Sequence, residues 1–177
     1  MGEVRLVAPD TGYRKEYVSF INECAEDIKK CGMDHYLPLS DASSFFDDIN
    51  GIVNAGKGIG LPKGWVAAST YWLMTGEADL ILGAINIRHR LTEHLLFRGG
   101  HIAYYINPQF RRKGYASKML HLGLEKCRDL DIERVLITCA KKNTGSAKTI
   151  LNNGGVLHSE DIEAGEEFQR YWIELEG

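Results

Sequence analysis

The sequence predicts an α/β fold of the α+β kind: a mixed, mostly antiparallel central sheet of about seven strands flanked by about four helices. Three observations predict it. Several short runs alternate apolar and polar residues with period two, as strands do, while other stretches repeat apolar residues every three or four positions, as helices do. The two kinds are ordered strand, two helices, a run of strands, then strand-helix-strand-helix-strand-strand, which places helices on both faces of a mixed sheet. A length of 177 residues, 44% hydrophobic and 25% charged, suits one globular domain spanning 1–177, with no repeat or linker to divide it.

The elements follow in order. Glu3 to Ala8 alternates and stops at Pro9-Asp10, a first strand. Asp10 or Thr11 caps a helix whose Tyr17, Phe20, Ile21, Cys24 and Ile28 share one face, and Gly32 ends it after Lys29-Lys30. Asp41-Ala42-Ser43 opens a second helix carrying Phe45, Phe46, Ile49 and Ile52, which dissolves into the glycine-rich stretch from Asn54 to Gly64. Trp65 to Met74 and Leu80 to Ile87 form a hairpin around a turn at Thr75 to Asp79. After a polar interruption comes the strand His101 to Asn107, ended by Pro108. Tyr115 to Leu130 is an amphipathic helix, and Arg134 to Ala140 is apolar on both faces, as suits a central strand. A short helix from about Gly145 to Asn153 ends at Gly154-Gly155. The strands Val156 to Asp161 and Phe168 to Leu175 complete the chain.

Composition excludes several functions. A net charge of −3 argues against a nucleic-acid binder, which needs a basic surface to neutralise phosphates. Cys24, Cys31, Cys127 and Cys139 include no CxxC pair, so reduced, partly buried thiols are expected and no metal site. Glu3 and Arg5 interrupt the first apolar run, so no signal peptide is expected, and Leu6 stands where a myristoylation motif after Gly2 needs Ser or Thr. No stretch approaches a membrane span of ~20 apolar residues. A cytoplasmic protein without membrane partners is expected.

The chemistry is concentrated in Tyr104 to Ala116, YYINPQFRRKGYA. A strand ends at a proline, and a short basic loop then opens a long helix. Arg111, Arg112, Lys113, Gly114, Tyr115 and Ala116 present successive backbone amides at a helix N-terminus, where the helix dipole favours an anion. Three positive side chains there oppose the dipole, by several tenths of a kcal/mol, and a bound anion relieves that conflict. Gly114 lets the backbone approach a bulky diphosphate. The residues alone point to a phosphate-bearing ligand. A nucleotide site of P-loop or Rossmann type is disfavoured, since neither GxxxxGK[ST] nor GxGxxG is present.

Arg111-x-x-Gly114-x-Ala116 resembles the Q/R-x-x-G-x-G/A pyrophosphate loop of the GNAT N-acetyltransferases. Asn143-x-x-Ser146, with Gly154 eleven residues after the Asn, is similar to that family's second motif. The resemblance covers residues 65–175 and is topological before that. It implies a GNAT-like sheet that splays after the strand ending at Asn107, and acetyl transfer from acetyl-CoA, as cosubstrate, to a primary amine. The amides of Arg112 to Ala116 would hold the pyrophosphate, and the backbone of Tyr104, Tyr105 and Ile106 would hold the pantetheine arm. A backbone N–H near Tyr105 or Ile106 would stabilise the oxyanion. Asn143 would bond to the cofactor arm, with Ser146 nearby.

Two positions depart from the family. Where many members carry a Tyr that protonates the leaving thiolate, seven residues after the Asn, this chain has Ile150. Ser146, Tyr104, Tyr171 or solvent must replace it. Where members often place a Glu as base, early in the strand before the loop, this chain has His101, either a base or a strand-edge residue satisfied by its surroundings. Glu93 and His94 are weaker candidates for the base. Asp34, Asp41, Asp47 and Asp48 could attract a cationic acceptor or simply be a solvated face, and one or two of Tyr36, Phe45, Phe46, Tyr71 and Trp72 could line an acceptor pocket. A possible homodimer is expected through exposed C-terminal strands. The departures leave a second reading open: a non-catalytic acyl-CoA sensor or interaction module of the same fold.

Overall fold

The computed structural model describes residues 3–41, 43–76 and 79–175. Ala42 of the expected helix opening, Glu77 and Ala78 of the expected turn, and Gly2 lie outside the described residues. The elements are β1 (Val4–Val7), α1 (Arg14–Lys30), α2 (Phe45–Gly56), β2 (Ala68–Thr75), β3 (Ile81–Arg88), α3 (Glu93–Phe97), β4 (Ile102–Ile106), α4 (Tyr115–Arg128), β5 (Arg134–Ala140), α5 (Thr144–Leu151), β6 (Val156–Glu163) and β7 (Glu166–Glu174). This is a mixed α/β fold with seven strands and, among the described residues, five helices, the extra one being α3. Thr92 caps that single turn by accepting from the Leu95 N–H at 3.2 Å. Five residues are too few to show a helical period, so the sequence read the segment only as polar.

The strands form two antiparallel sheets, β1-β2-β3-β4 and β5-β7-β6, where the sequence suggested one. β3 explains the layering of the first. All eight of its residues are buried, because it has a core on each face. Ile85 and Ile87 pack with Met119, Leu120 and Leu124 of α4, while Ile81 and Ala84 share a core with Tyr17 and Phe20 of α1 and Phe45 and Ile49 of α2. Period-two alternation on the strand meets period-3.6 stripes on the helices, and burial of both apolar faces drives the assembly.

Among the described residues, one backbone joint links the two sheets. Gly100 bridges to Ile137, and the His101 N–H donates to the Leu136 carbonyl at 2.7 Å. Gly100 has φ +65, and a Cβ there would stand 2.4 Å from the Leu136 carbonyl oxygen, so only glycine lets the chains approach this closely. Beyond the joint β4 and β5 part company, and a cleft of about 900 Å³ opens between them. The arrangement matches the expected splay beside the strand that ends at Asn107. β5, expected to be central, is an edge of the second sheet facing this cleft.

Candidate active site

One end of the cleft is the loop between β4 and α4. The first bond inside α4 runs from the Lys118 N–H to the Gly114 carbonyl at 3.1 Å, so the amides of Tyr115, Ala116 and Ser117 precede any intrahelical partner. Gly114 caps the helix with φ +83, and Arg112 is also left-handed at φ +63. Two left-handed residues so close together fold the backbone into a concave cradle of the kind that holds anions. Arg112, Gly114, Ala116 and Ser117 line the cleft, as does Lys148 of α5 from the opposite wall. Among the described residues neither Arg112 nor Lys148 has an ion-pair partner. A volume of about 900 Å³ lies high in the ~300–1,000 Å³ range of ligand clefts, so it admits a long ligand.

The other loop cations are committed elsewhere. Arg111 pairs with Asp27 of α1 and donates through Nε to the Ile106 carbonyl at 2.9 Å, which fastens the loop to α1. Lys113 lies over the Phe110 ring at 5.3 Å, and the Tyr115 ring meets Phe110 edge-on. Neither the Lys113 nor the Tyr115 side chain lines the cleft.

The middle of the cleft is set by the phase of the β3–β4 ladder. Arg88 and Asn107 donate to the carbonyls of His101 and Leu82, which fixes the hydrogen-bonded pairs at every second position and makes Ala84 with Tyr105 one of them. The Tyr105 carbonyl accordingly points at β3, where a Cβ on Gly83 would lie 2.1 Å from it. The expectation that the Tyr105 amide faces the reacting carbonyl is therefore corrected. Its N–H is spent on Ala84, and the amides of Tyr104 and Ile106 face the split instead. The Tyr105 ring is buried against α1, and its hydroxyl, beside Asp27 and Cys24, makes no hydrogen bond of good geometry.

Across the split, the Tyr104 hydroxyl lies 2.8 Å from Ser146 Oγ, with Cys139 next to both. Burial, partly offset by the Ser146 hydroxyl, pushes Tyr104 up to about 12, and burial also raises Cys139. Tyr104 therefore keeps its proton at neutral pH. Asn143 caps α5, its Oδ1 accepting from the Ser146 N–H at 3.1 Å. That leaves its amide nitrogen for the cleft. Ile150 is fully buried, out of the cleft, and Tyr171 donates to Gln169 at 2.8 Å.

His101 faces away from both clefts. It stands just before β4, where the chain bends at the joint, and its ring turns to the second sheet, 6.5 Å from Trp172. Nδ1 accepts from the Leu136 N–H at 3.0 Å, and burial together with the Arg88 charge lowers it to about 4. With Nδ1 occupied as an acceptor, the neutral ring carries its proton on Nε2, and its one basic lone pair is held by the Leu136 N–H rather than offered to a substrate. The ring lines neither cleft, so of the two readings of His101 the geometry favours the satisfied residue over the base.

Beyond the split, the cleft meets a second one of about 440 Å³. Tyr36, Arg88 and Arg98 line both, and Trp65, His94 and Glu163 line the smaller. Tyr36 is thus the one aromatic candidate that reaches either cleft; Phe45 and Trp72 are core and Phe46 is half exposed. None of Asp34, Asp41, Asp47 and Asp48 lines them. Arg88, Arg98, Cys139 and Lys148 carry no local motif, and only the fold brings them together. Among the described residues no group of His, Cys, Asp and Glu could hold a metal ion, and no helix is long and apolar enough to cross a membrane.

Comparison with known proteins supplies the frame for this geometry. Residues 13–156 match the family model described as the acetyltransferase (GNAT) domain. No curated protein matches by sequence. Among solved structures, the microcin C7 self-immunity acetyltransferase MccE in complex with acetyl-CoA and AMP is similar at 17% identity and TM-score 0.67, over 98% of this chain and 93% of that one. The ribosomal L7/L12 alpha-N-protein acetyltransferase RimL in complex with coenzyme A gives 15% and 0.70, over 97% and 94%. A spermidine N-acetyltransferase chimera from Vibrio cholerae and hSSAT gives 14% and 0.63, over 98% and 96%. These likenesses establish the shared fold.

Proposed function

Since the chain belongs to the GNAT acetyltransferase family, we propose that it works as one domain to transfer the acetyl group of acetyl-CoA to a primary amine, by direct attack with both substrates bound. The observation that carries this reading is the split between β4 and β5 with an amide cradle at one end. Two of the similar structures hold acetyl-CoA or coenzyme A, which supports the same cosubstrate here.

In this reading the amides following Gly114, with Arg112 and Lys148, take the pyrophosphate. The pantetheine arm lies along β4 as an added strand, meeting the outward backbone of Tyr104 and Ile106 and the amide of Asn143. One of those two N–H groups, about 7 Å apart along the strand and so unable to share one oxygen, is also the donor for the oxyanion that forms as the amine attacks, a role worth about 10²–10³ in rate. Tyr104, protonated and bonded to Ser146, supplies the proton to the departing thiolate, the task that Ile150 cannot perform. No carboxylate lines the large cleft among the described residues, so the amine arrives neutral or loses its proton to water. Holding both reactants in one cleft supplies much of the remaining rate. His101 has a structural role, closing the joint between the sheets.

Calorimetry with acetyl-CoA, followed by thiol release over a panel of amines, tests the reading. Binding and release are expected. Binding without release for every acceptor identifies a CoA-ester sensor of the same fold, and no heat at all removes the transferase. Gly114→Val, which puts a β-branched residue at φ +83, is expected to weaken acetyl-CoA about 100-fold, roughly 2.7 kcal/mol, with the circular dichroism unchanged.

A further inference from the structure

We infer that the acceptor carries an anionic group, a carboxylate or a phosphate, near its amine, and that Arg88, at the meeting of the two clefts, binds it. The inference rests on the transferase reading for the word acceptor, and on Arg88 alone for the anion.

Arg88 ends β3 and is only 9% exposed, yet it lines both clefts. Its guanidinium donates to the carbonyls of Gly99 at 3.2 Å and Gly100 at 2.9 Å and to the Tyr36 hydroxyl, and it lies over the Tyr36 ring. Every one of these partners is neutral. Among the described residues no carboxylate pairs with it. Arg98, in the same wall, makes the contrast: it is paired with both Glu163, at 3.2 Å, and Glu166. A buried guanidinium without a counter-ion is costly, and proteins neutralise such a charge wherever a carboxylate is at hand. Here Glu163, the acid of the smaller cleft, is taken by Arg98. The three bonds described leave two of the five N–H donors of Arg88 over, enough for a planar anion.

Position gives the anion its meaning. The cradle that would hold the pyrophosphate lies beyond the C-terminal end of β4, whereas Arg88 pairs with His101 before its N-terminal end. An extended arm running back along β4 from the cradle thus ends toward Arg88. The field there is positive, which disfavours a polyamine, whose second ammonium would approach an unpaired guanidinium. Past Arg88 the smaller cleft presents Trp65, half exposed, with the His35 ring 6.1 Å away, and Val66 and Leu95. An amine next to an anionic group and attached to an apolar body, as in an apolar amino acid, satisfies all three features.

The test compares acceptors in matched pairs on the intact protein. Free phenylalanine is set against its amide, and O-phosphoethanolamine against ethanolamine, with spermidine as the polycationic control. Binding to the CoA-loaded protein is read by calorimetry, and turnover by release of CoA from acetyl-CoA. The anionic member of at least one pair is expected to bind at least about tenfold more tightly, the size of one charge-assisted hydrogen bond. The pair that shows the advantage tells carboxylate from phosphate. In Arg88→Gln the advantage is expected to vanish while acetyl-CoA affinity stays, and Arg88→Lys is expected to keep part of it. Equal binding within both pairs, tighter binding of spermidine, or an advantage that survives Arg88→Gln overturns the inference. If Arg88→Gln does not fold, the wild-type pairs decide alone. Anion-selective binding without CoA release removes the transferase and keeps the anion site; release with neutral amines but no anion selectivity does the reverse.

Discussion

Tyr104 and His101 sit three residues apart and have opposite protonation behaviour, because burial disfavours the charged form of each. For the phenol that means a proton held up to about 12, so Tyr104 is a donor at every working pH. General acids contribute about 10²–10⁴-fold. A thiol of pKa ~8.5 is a fair leaving group unaided, so Tyr104→Phe is expected at the low end, about 100-fold in kcat. Acetyl-CoA affinity is expected to be unchanged, since the proposed binding contacts of residue 104 are made by its backbone; steady-state kinetics beside calorimetry separates the two effects. For the imidazole, burial and then Arg88 depress the folded value to about 4 from an ordinary 6.5. The unfolded chain therefore binds the extra proton first. The stabilisation is fully present above pH 6.5 and is lost as the pH falls from 6.5 toward 4, by up to about 3 kcal/mol at 1.36 kcal/mol per unit. Urea midpoints at pH 7 and pH 4.5 check this. His101→Phe is expected to be less stable at pH 7 and to show a flatter fall with acid.

Elements add a second duty to residues the motif singled out. Asn143 caps α5 through Oδ1 and has its amide nitrogen left for the cleft, and two substitutions separate the roles. Asn143→Ala removes both: about 1 kcal/mol of stability, roughly 2–4 °C for a chain of this size, and the cofactor contact. Asn143→Asp keeps an acceptor for the Ser146 N–H and is expected to melt with the wild type, yet to bind acetyl-CoA several-fold more weakly. Equal affinity in both variants would confine Asn143 to the cap. Elements also explain what was legible beforehand. β5 and the start of α4 could be read to the residue, because a buried strand and a capped amphipathic helix write their periods in the sequence. α3 could not, being one turn held by Thr92. The turn before α4 was legible for the same reason as α4: a helix start is a local event. The base was not. His101 read as a base or as a satisfied strand-edge residue, and a non-local contact decides between them, where the chain bends to join Leu136.

At the scale of the whole molecule, two antiparallel sheets are held together, among the described residues, by a single backbone joint at Gly100 and by the helices packed across them, with the cleft where further ladder bonds would otherwise form. Division of one expected sheet into two is the feature least visible in sequence, since strand pairing is non-local and β5 is apolar enough to be central. It also has the largest consequence for binding. In the proposed reading an arm of acetyl-CoA laid along β4 would complete the missing rungs, so the ligand should act as a staple between sheets. At a concentration 100 times its Kd the linkage is about 2.7 kcal/mol, and the melting temperature should rise by roughly 5–10 °C. Hydrogen exchange resolves where that energy is felt. Without ligand, the amides of Tyr104 and Ile106, turned to the split, should exchange faster than those of Ala103 and Tyr105, which are bonded to β3. With acetyl-CoA, the slow and fast sets should become alike, and no comparable change should appear in β6 or β7. If protection rises evenly over both sheets, the ligand stabilises without pairing to β4, and the oxyanion donors must be sought elsewhere in the cleft.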